Sequence, residues 1–284
     1  LKPMNQLAET IAEVHVGTLG HPISLVGLPR EIIPVVQKLN HLLERLKLSF
    51  EREQSFTSDV AHELRTPLAG IRSILEVTLS RLRDSAAYQE SMADCLDITK
   101  KLQGLVDKLL ALARLDTVPN QLNPENIFVA RVIEECWTPF AQTAEQRSVS
   151  FENHISGQLL LHADREYLFM VLTNLLENAA EYTNPKGLIT VKAGVLNNRI
   201  EIRITNTGCT LTDDQIDKIF SRFWRADSSR SNTGVHCGLG LSLAEKIIQS
   251  MGGEIYVTSW NGLFTVTISL AISGKHNSDI AGLS

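Results

Sequence analysis

The sequence lacks the features that would tie a chain of 284 residues to several large classes of protein. Its 4 cysteines, Cys95, Cys136, Cys209 and Cys237, stand far apart with no C-x-x-C pair, which indicates neither a disulfide framework nor zinc-ligand spacing. A reducing compartment fits that usage. No apolar run approaches the roughly 18 to 20 residues that cross a bilayer, and the first residues lack the basic and apolar regions of a secretory signal. The chain as given therefore reads as soluble. Net charge is only -5, so nucleic acid and anionic membrane surfaces are not indicated as partners. At this length two or three domains can each bury a core. The opening LKPMNQLAETI is already in helical periodicity, as expected of a fragment whose upstream part is missing.

What the chain does have is periodicity. Met4, Leu7, Ile11 and Val14 recur at spacings of 3, 4 and 3, the seam of a short coiled-coil helix. A connector with Gly17, Gly20, Pro22, Gly27 and Pro29 follows, and the period resumes at Ile32, Val36, Leu39, Leu43, Leu46 and Phe50. Stripes this narrow need partner helices, so a parallel dimer is expected. The second helix meets no breaker before residue 66 and is expected to run on. A further long helix is predicted over residues 92–115, where Ile98, Leu102, Leu105, Leu109 and Leu112 step by 4, 3, 4 and 3. A polar turn near Asp84 to Ala87 joins the two into a hairpin, and two chains close a four-helix bundle.

DTVPNQLNPEN reads as a linker, and beyond it the period changes. LITVKAGV and RIEIRITN flank Asn197-Asn198, while EIYVTSW and LFTVTISL flank Asn261-Gly262, which predicts two β-hairpins. Helical patterns at 129–146, 164–182, 213–220 and 239–251 alternate with them, giving a mixed α/β domain with helices on one face of a sheet. The tail GKHNSDIAGLS has little to bury and is expected to be mobile.

Within the long helix, DVAHELRTPL sets His62 beside Glu63, with Thr66 one turn on and Pro67 inside the helix. Pro67 lacks the N–H that would bond the carbonyl of Glu63, so a bend is expected one turn from the histidine. A neutral imidazole with one nitrogen free is a nucleophile, and an adjacent carboxylate holds the other nitrogen's proton and stabilises developing positive charge. An isolated helix histidine is more often an exposed polar residue. The neighbours decide otherwise: Phe56, His62, Glu63, Leu64, Arg65, Thr66, Pro67 and Leu68 resemble the phosphoacceptor box of sensor histidine kinases.

Three downstream motifs resemble that family's ATP-binding boxes, in its order. NLLENAAEYT is similar to the N box; the resemblance implies that Asn178 binds magnesium, with Asn174 and Tyr182 near the phosphates. Glu181 stands where the family often has a basic residue. NTGCTLTDDQIDKIFSRFWRAD resembles the G1 and F boxes. Asn206 replaces the family's acidic acceptor for the adenine amino group, Thr210 replaces a glycine, and Gly208 is retained. A neutral acceptor makes a bond roughly half as strong as a charged one. Phe220, Phe223 and Trp224 suit a lid anchor or a plain core, and Arg222 and Arg225 suit phosphate. GVHCGLGLSLAEKI resembles the G2 box, where Gly234, Gly238 and Gly240 let backbone N–H groups approach phosphates at a helix start. His236 stands there in place of a usual glycine. Adjacent His236 and Cys237 cannot complete a zinc site without further ligands. NGLFTVTISL, with Gly262 and Thr265, looks like the family's closing strand, and Thr265 is carried over as a nucleotide-binding residue. His15, His21, His41, His154, His162 and His276 read as structural or exposed.

The first helix, connector and second helix resemble the HAMP relay found just inside the membrane in such receptors. The fold class expected is α+β multidomain: coiled-coil relay helices over 1–49, a dimeric phosphotransfer hairpin over 50–118, an α/β sandwich ATP-binding domain over 119–272, and a tail. The resemblance implies ATP and Mg²⁺ as cofactors, autophosphorylation of His62 with Glu63 as acid/base, and transfer to an aspartate of a response regulator. Thr66 then orients water for dephosphorylation of that regulator. It further implies a homodimer forming the cytoplasmic portion of an inner-membrane sensor, with membrane contact only through an upstream segment. A catalytically weakened scaffold or phosphatase-only sensor shares this fold. A chaperone-type or gyrase-type ATPase leaves the His62 box unexplained.

Overall fold

The computed structural model describes residues 32–117, 122–226 and 238–272, with 15, 18, 22–24 and 29. The expected first seam at Met4 to Val14, most of the connector and the tail lie outside these residues, as do Gly234, His236 and Cys237. The chain divides into two compact units, Leu1–Leu68 and Ala69–Ser284.

Helix α1, Ile33–Leu79, has 47 residues and continues through Pro67, as its unbroken period predicts. Within the first unit Val36 is fully buried and Ile23 is 6% exposed. Asn40 ties that connector residue to the helix: its Oδ1 accepts from the Ile23 N–H at 2.8 Å and its Nδ2 donates to the Ile23 carbonyl at 3.0 Å. Along the rest of the predicted stripe Ile32, Leu39 and Leu43 are half-buried, while Leu46 at 54% and Phe50 at 39% stay exposed.

In the second unit the end of α1 turns at Ser80–Asp84 into α2, Ser85–Thr117. The turn thus precedes the stretch expected from sequence, because Asp84 is already a cap, its Oδ1 accepting from the Ala87 N–H at 2.8 Å. Thr78 and Ser91 hydroxyls bond across the hairpin at 3.0 Å. Of the predicted α2 stripe, Leu105 and Leu112 are buried, together with Ala111. This end of α2 packs on α7 (Gly240–Ser250), and Lys108 reaches Glu177 of α5 (Arg165–Tyr182) at 3.1 Å.

The remaining elements are β1 (Pro124–Phe128), α3 (Val129–Trp137), α4 (Ala141–Gln146), β2 (Ser150–Asn153), β3 (Leu160–Asp164), β4 (Leu188–Leu196), β5 (Arg199–Thr207), α6 (Asp213–Ile216), β6 (Glu254–Trp260) and β7 (Leu263–Ala271). Five strands form one sheet in the order β2-β4-β5-β7-β6, parallel only at β2–β4, and β1 pairs with β3 separately. Both predicted hairpins are present. Asn197 and Asn198 take φ of 49° and 60°, Asn261 and Gly262 take 51° and 76°, as a tight turn between twisted strands requires. Ile189, Val191, Ile202, Ile204, Val266 and Ile268 bury one sheet face beneath Leu168, Leu172 and Leu175 of α5 and Leu243 and Ile247 of α7. At roughly 1.5–3 kcal/mol per fully buried aliphatic side chain, this layer is the domain's main source of stability.

Three expectations need correction. The helix over 129–146 is broken at Thr138–Phe140, a 3₁₀ turn carrying Pro139, whose ring cannot follow an α-helical interior. The helix over 213–220 stops at Ile216. The linker ends sooner than expected, since Pro124 to Asn126 already pair in β1.

Candidate functional site

Helix α5 sets the geometry. Its N-cap Asp164 accepts from the N–H groups of Tyr167 at 3.1 Å and Asn123 at 2.9 Å. Its other end is held by Arg147, which donates to the carbonyls of Ala180 at 2.6 Å, Glu181 at 3.1 Å and Thr183. Those carbonyls have no partner within the helix, and a cation there also complements the helix dipole. Asn174, Asn178 and Tyr182 follow at intervals of four and share one face of this fixed cylinder.

Asn174 is 3% exposed, and its Nδ2 donates to the Met170 carbonyl at 2.9 Å. Its Oδ1 faces the first residue of α7: a Cβ built on Gly240 would lie 3.4 Å away. That is ordinary van der Waals contact, so the start of α7 and α5 meet here without needing a bare backbone. Asn178, one turn on, is half-buried and makes no hydrogen bond among the described residues, so its amide oxygen is available to a cation or phosphate-bound water. Tyr182 is 45% exposed.

Asn206, next to last in β5, lies on the helix-covered face and is 4% exposed. Its Nδ2 donates to the Thr207 carbonyl at 3.3 Å, which leaves Oδ1 as the free acceptor. Gly208 follows at φ 92°, a left-handed turn, and a Cβ there would meet Asn184 Oδ1 at 2.7 Å. The Gly262 carbonyl accepts from both Gly208 N–H at 2.9 Å and Cys209 N–H at 3.0 Å. Thr207 Oγ1 donates to Asn184 Oδ1 at 2.7 Å, so the loop after α5 braces the loop after β5. At the second glycine-rich stretch, Gly238 takes φ 66° and its carbonyl accepts from Phe223 N–H at 2.9 Å. A Cβ there would sit 2.7 Å from the Phe223 and Trp224 backbone. Arg222 is exposed and Arg225 half-buried beside this contact.

The structure thus brings Asn174 against Gly240 and ties the Asn206–Gly208 loop to the end of α5. It does not bring Thr265 in. Thr265 pairs with Thr205 in register, while Asn206 pairs with Phe264, so Thr265 lies on the opposite face of the sheet from Asn206. His62 and Thr66 are exposed on α1, and Glu63 is half-buried. Thr66 Oγ1 donates to the His62 carbonyl at 3.2 Å. Sequence reasoning missed Arg147, Asn184, Thr207 and Gly187; a Cβ on Gly187 would overlap Thr207 Oγ1. Of these only Gly187, after Asn184-Pro185, carried a local turn signal.

Comparison with known families agrees with this geometry. Residues 163–273 match the histidine kinase-, DNA gyrase B- and HSP90-like ATPases, residues 52–118 the His Kinase A (phospho-acceptor) domain, and residues 1–47 the PhoQ-like sensor HAMP domain. The chain belongs to the sensor histidine kinases. Among curated sensor kinases it is 32% identical over 245 residues to the sensor protein CopS of Pseudomonas syringae pv. tomato, covering 85% of this chain and 49% of that protein. The chain spans about half the length of the curated relatives it matches. Two solved histidine kinases share the fold. AdeS of Acinetobacter baumannii has a TM-score of 0.61 at 22% identity, covering 75% of this chain and 98% of that one. ThkA, solved in complex with the response regulator protein TrrA, has a TM-score of 0.62 at 23% identity, covering 81% and 64%. An ATPase domain of this kind binds ATP. Among the described residues no helix is long and apolar enough to cross a membrane.

Proposed function

We propose that the chain is the kinase portion of a two-component sensor, with a relay over 1–49, a phosphotransfer hairpin over 50–118 and an ATP-binding domain over 119–272. A nitrogen of His62 attacks the γ-phosphorus of ATP, the bond to the β-phosphate oxygen breaks, and ADP leaves with the electron pair. The imidazole proton passes to Glu63, its neighbour in the chain. The phosphoryl group then moves from His62 to an aspartate carboxylate of a response regulator, as the N–P bond breaks. In the opposing phosphatase reaction Thr66 orients a water that attacks the phosphorus of the aspartyl phosphate, the bond to the carboxylate oxygen breaks and inorganic phosphate leaves.

The observation that carries this reading is that one unit holds an exposed His62 in its motif and the other, by itself, holds a fixed α5 face. That face offers Asn178 without a hydrogen-bond partner among the described residues, one turn from Asn174, which meets the start of α7 at Gly240. Asn178 is the residue of this chain suited to hold Mg²⁺, whose chemistry is to neutralise phosphate charge in phosphoryl transfer. Asn206 Oδ1 accepts from the adenine amino group, Gly208 keeps the adjoining backbone clear, and Arg222 and Arg225 face phosphate. Tyr182 and Asn174 border the same space, with Gly238 and Gly240 on the phosphate side; Gly234 joins them through its motif alone. Thr265 has no part in it.

Phosphoryl transfer of this kind depends on positioning more than on covalent help from the protein. Two chains form the working unit, anchored at the inner membrane through a segment preceding the relay. Incubation with radiolabelled ATP and Mg²⁺ should give acid-labile label that is absent from His62→Gln. No label and no nucleotide affinity would sink the kinase. One observation favours the weakened or phosphatase-only alternative: Asn206 supplies a neutral acceptor in place of a charged one. That reading predicts weakened nucleotide affinity and no label, with dephosphorylation of the regulator dependent on Thr66.

A further inference from the structure

The sheet face that carries no helix has an organised composition. Thr190, Thr205, Thr265 and Thr258 are register partners across β4, β5, β7 and β6 and form one transverse row. Two residues along, Lys192, Arg203, Thr267 and Tyr256 form the next row in the same strand order. Both rows line a single open hollow of ≈ 520 Å³, inside the range of roughly 300–1,000 Å³ typical of small-molecule sites. Threonine on a solvent-facing strand is ordinary β-sheet chemistry. Three features of the second row are not.

Thr267 is only 3% exposed and lines the hollow, yet its hydroxyl has no hydrogen-bond partner among the described residues. Its oxygen is not among the buried atoms left without a partner, so it is reached from the hollow and can donate to a ligand there. Lys192 and Arg203 stand directly opposite each other, a like-charge pairing that destabilises a sheet unless compensated. Glu201 compensates Arg203 at 2.5 Å, whereas Lys192 has no ion-pair partner among the described residues. The hollow itself is lined by no carboxylate, on a chain of net charge -5. Tyr256, 41% exposed, closes the other end of the row, two strand spacings or ~10 Å from Arg203.

A cationic end, hydroxyl donors between, and an aromatic face ~10 Å away describe one class of ligand. We infer that this sheet face is a second nucleotide site, taking a phosphorylated nucleoside with its phosphate on Lys192 and Arg203 and its base against Tyr256. Phosphate oxygens accept charge-assisted bonds from the two cations, Thr267 donates its free hydroxyl, and the base stacks on the phenol ring. The site is independent of ATP hydrolysis and of the face that carries Asn206.

Equilibrium dialysis of the full chain against radiolabelled GMP tests this, because guanine lacks the 6-amino donor that Asn206 Oδ1 is placed to accept. One GMP per chain should bind. Affinity should fall at least tenfold in Lys192→Glu and in Thr267→Val, and should be unchanged in Asn178→Ala. Lys192 is exposed, so its variant keeps the test sound even where Thr267→Val alters folding. Absence of binding at millimolar GMP overturns the inference. So does loss in Asn178→Ala with retention in Lys192→Glu, which assigns the nucleotide to the ATP site. Displacement by inorganic phosphate as readily as by GMP reduces the hollow to an anion site and overturns the nucleoside assignment. Because no arm reads His62 labelling, failure here is separable from failure of the kinase reading.

Discussion

Single side chains tune this molecule through what they accept and what they exclude. Restoring a charged acceptor by Asn206→Asp should tighten ATP binding about fivefold, taking the gain from a neutral to a charged bond as ~1 kcal/mol. Titration with a fluorescent ATP analogue measures it, and unchanged affinity would place the adenine amino group elsewhere. Cys136 makes a contrasting case: burial pushes its thiol up to about 11, so at pH 8 it remains protonated and shielded. Cys95 and Cys209 are partly exposed. Mass-resolved alkylation at pH 8 should therefore modify those two while leaving Cys136 intact until the chain unfolds. The residues that sequence placed well are those whose spacing matches a local period. Asn174 and Asn178 fall on one helix face at any register, and Gly208 and Gly238 sit where only a bare backbone fits. Thr265 was misplaced because its face depends on strand register, which one residue's shift inverts. Arg147 was invisible because the carbonyls it holds lie more than thirty residues downstream.

At the scale of elements, the end of α5 depends on a side chain from outside it. Arg147→Ala removes charge-assisted bonds to its terminal carbonyls and should cost ~2–3 kcal/mol, lowering the unfolding midpoint by several degrees. Calorimetry checks this, and recovery by Arg147→Lys should be partial, since an ammonium lacks the guanidinium's fork. Pro67 stands inside a helix that continues past it, at a cost a peptide helix sets near ~3 kcal/mol relative to alanine. Pro67→Ala should stabilise that helix against urea and shift the balance between label on His62 and label lost from the regulator. An unaltered balance would remove Pro67 as the compliant point. The long helices and both hairpins were legible because their patterns are local: heptad steps in one case, Asn-Asn and Asn-Gly turns in the other. Strands β1, β2 and β3 were not. PENIF, SFEN and LLHAD are four or five residues each, mix polar and apolar groups, and acquire strand character only from distant partners.

For the molecule as a whole, the open question of partners is written in its apolar surface. Leu75, Val77, Met92, Leu96 and Leu110 are between 47% and 68% exposed on the helices of one chain. So much apolar surface suits an interaction face, and the proposed second copy would cover it. Leu75→Glu combined with Leu110→Glu should convert the dimer to monomer in sedimentation experiments at micromolar concentration; a persistent dimer would move the interface to the relay helices. The sheet order also has a consequence in time. Strand β7 comes last among the described strands, yet it sits between β5 and β6, and the turn before it supplies the Gly262 carbonyl beneath Gly208 and Cys209. A chain emerging from the ribosome therefore cannot hold a half-built nucleotide site while its synthesis continues. Until residues 254–271 have left the exit tunnel, β5 is an open edge and the loop after it has no floor. Competence to bind nucleotide arrives all at once, with the final insertion that closes the sheet.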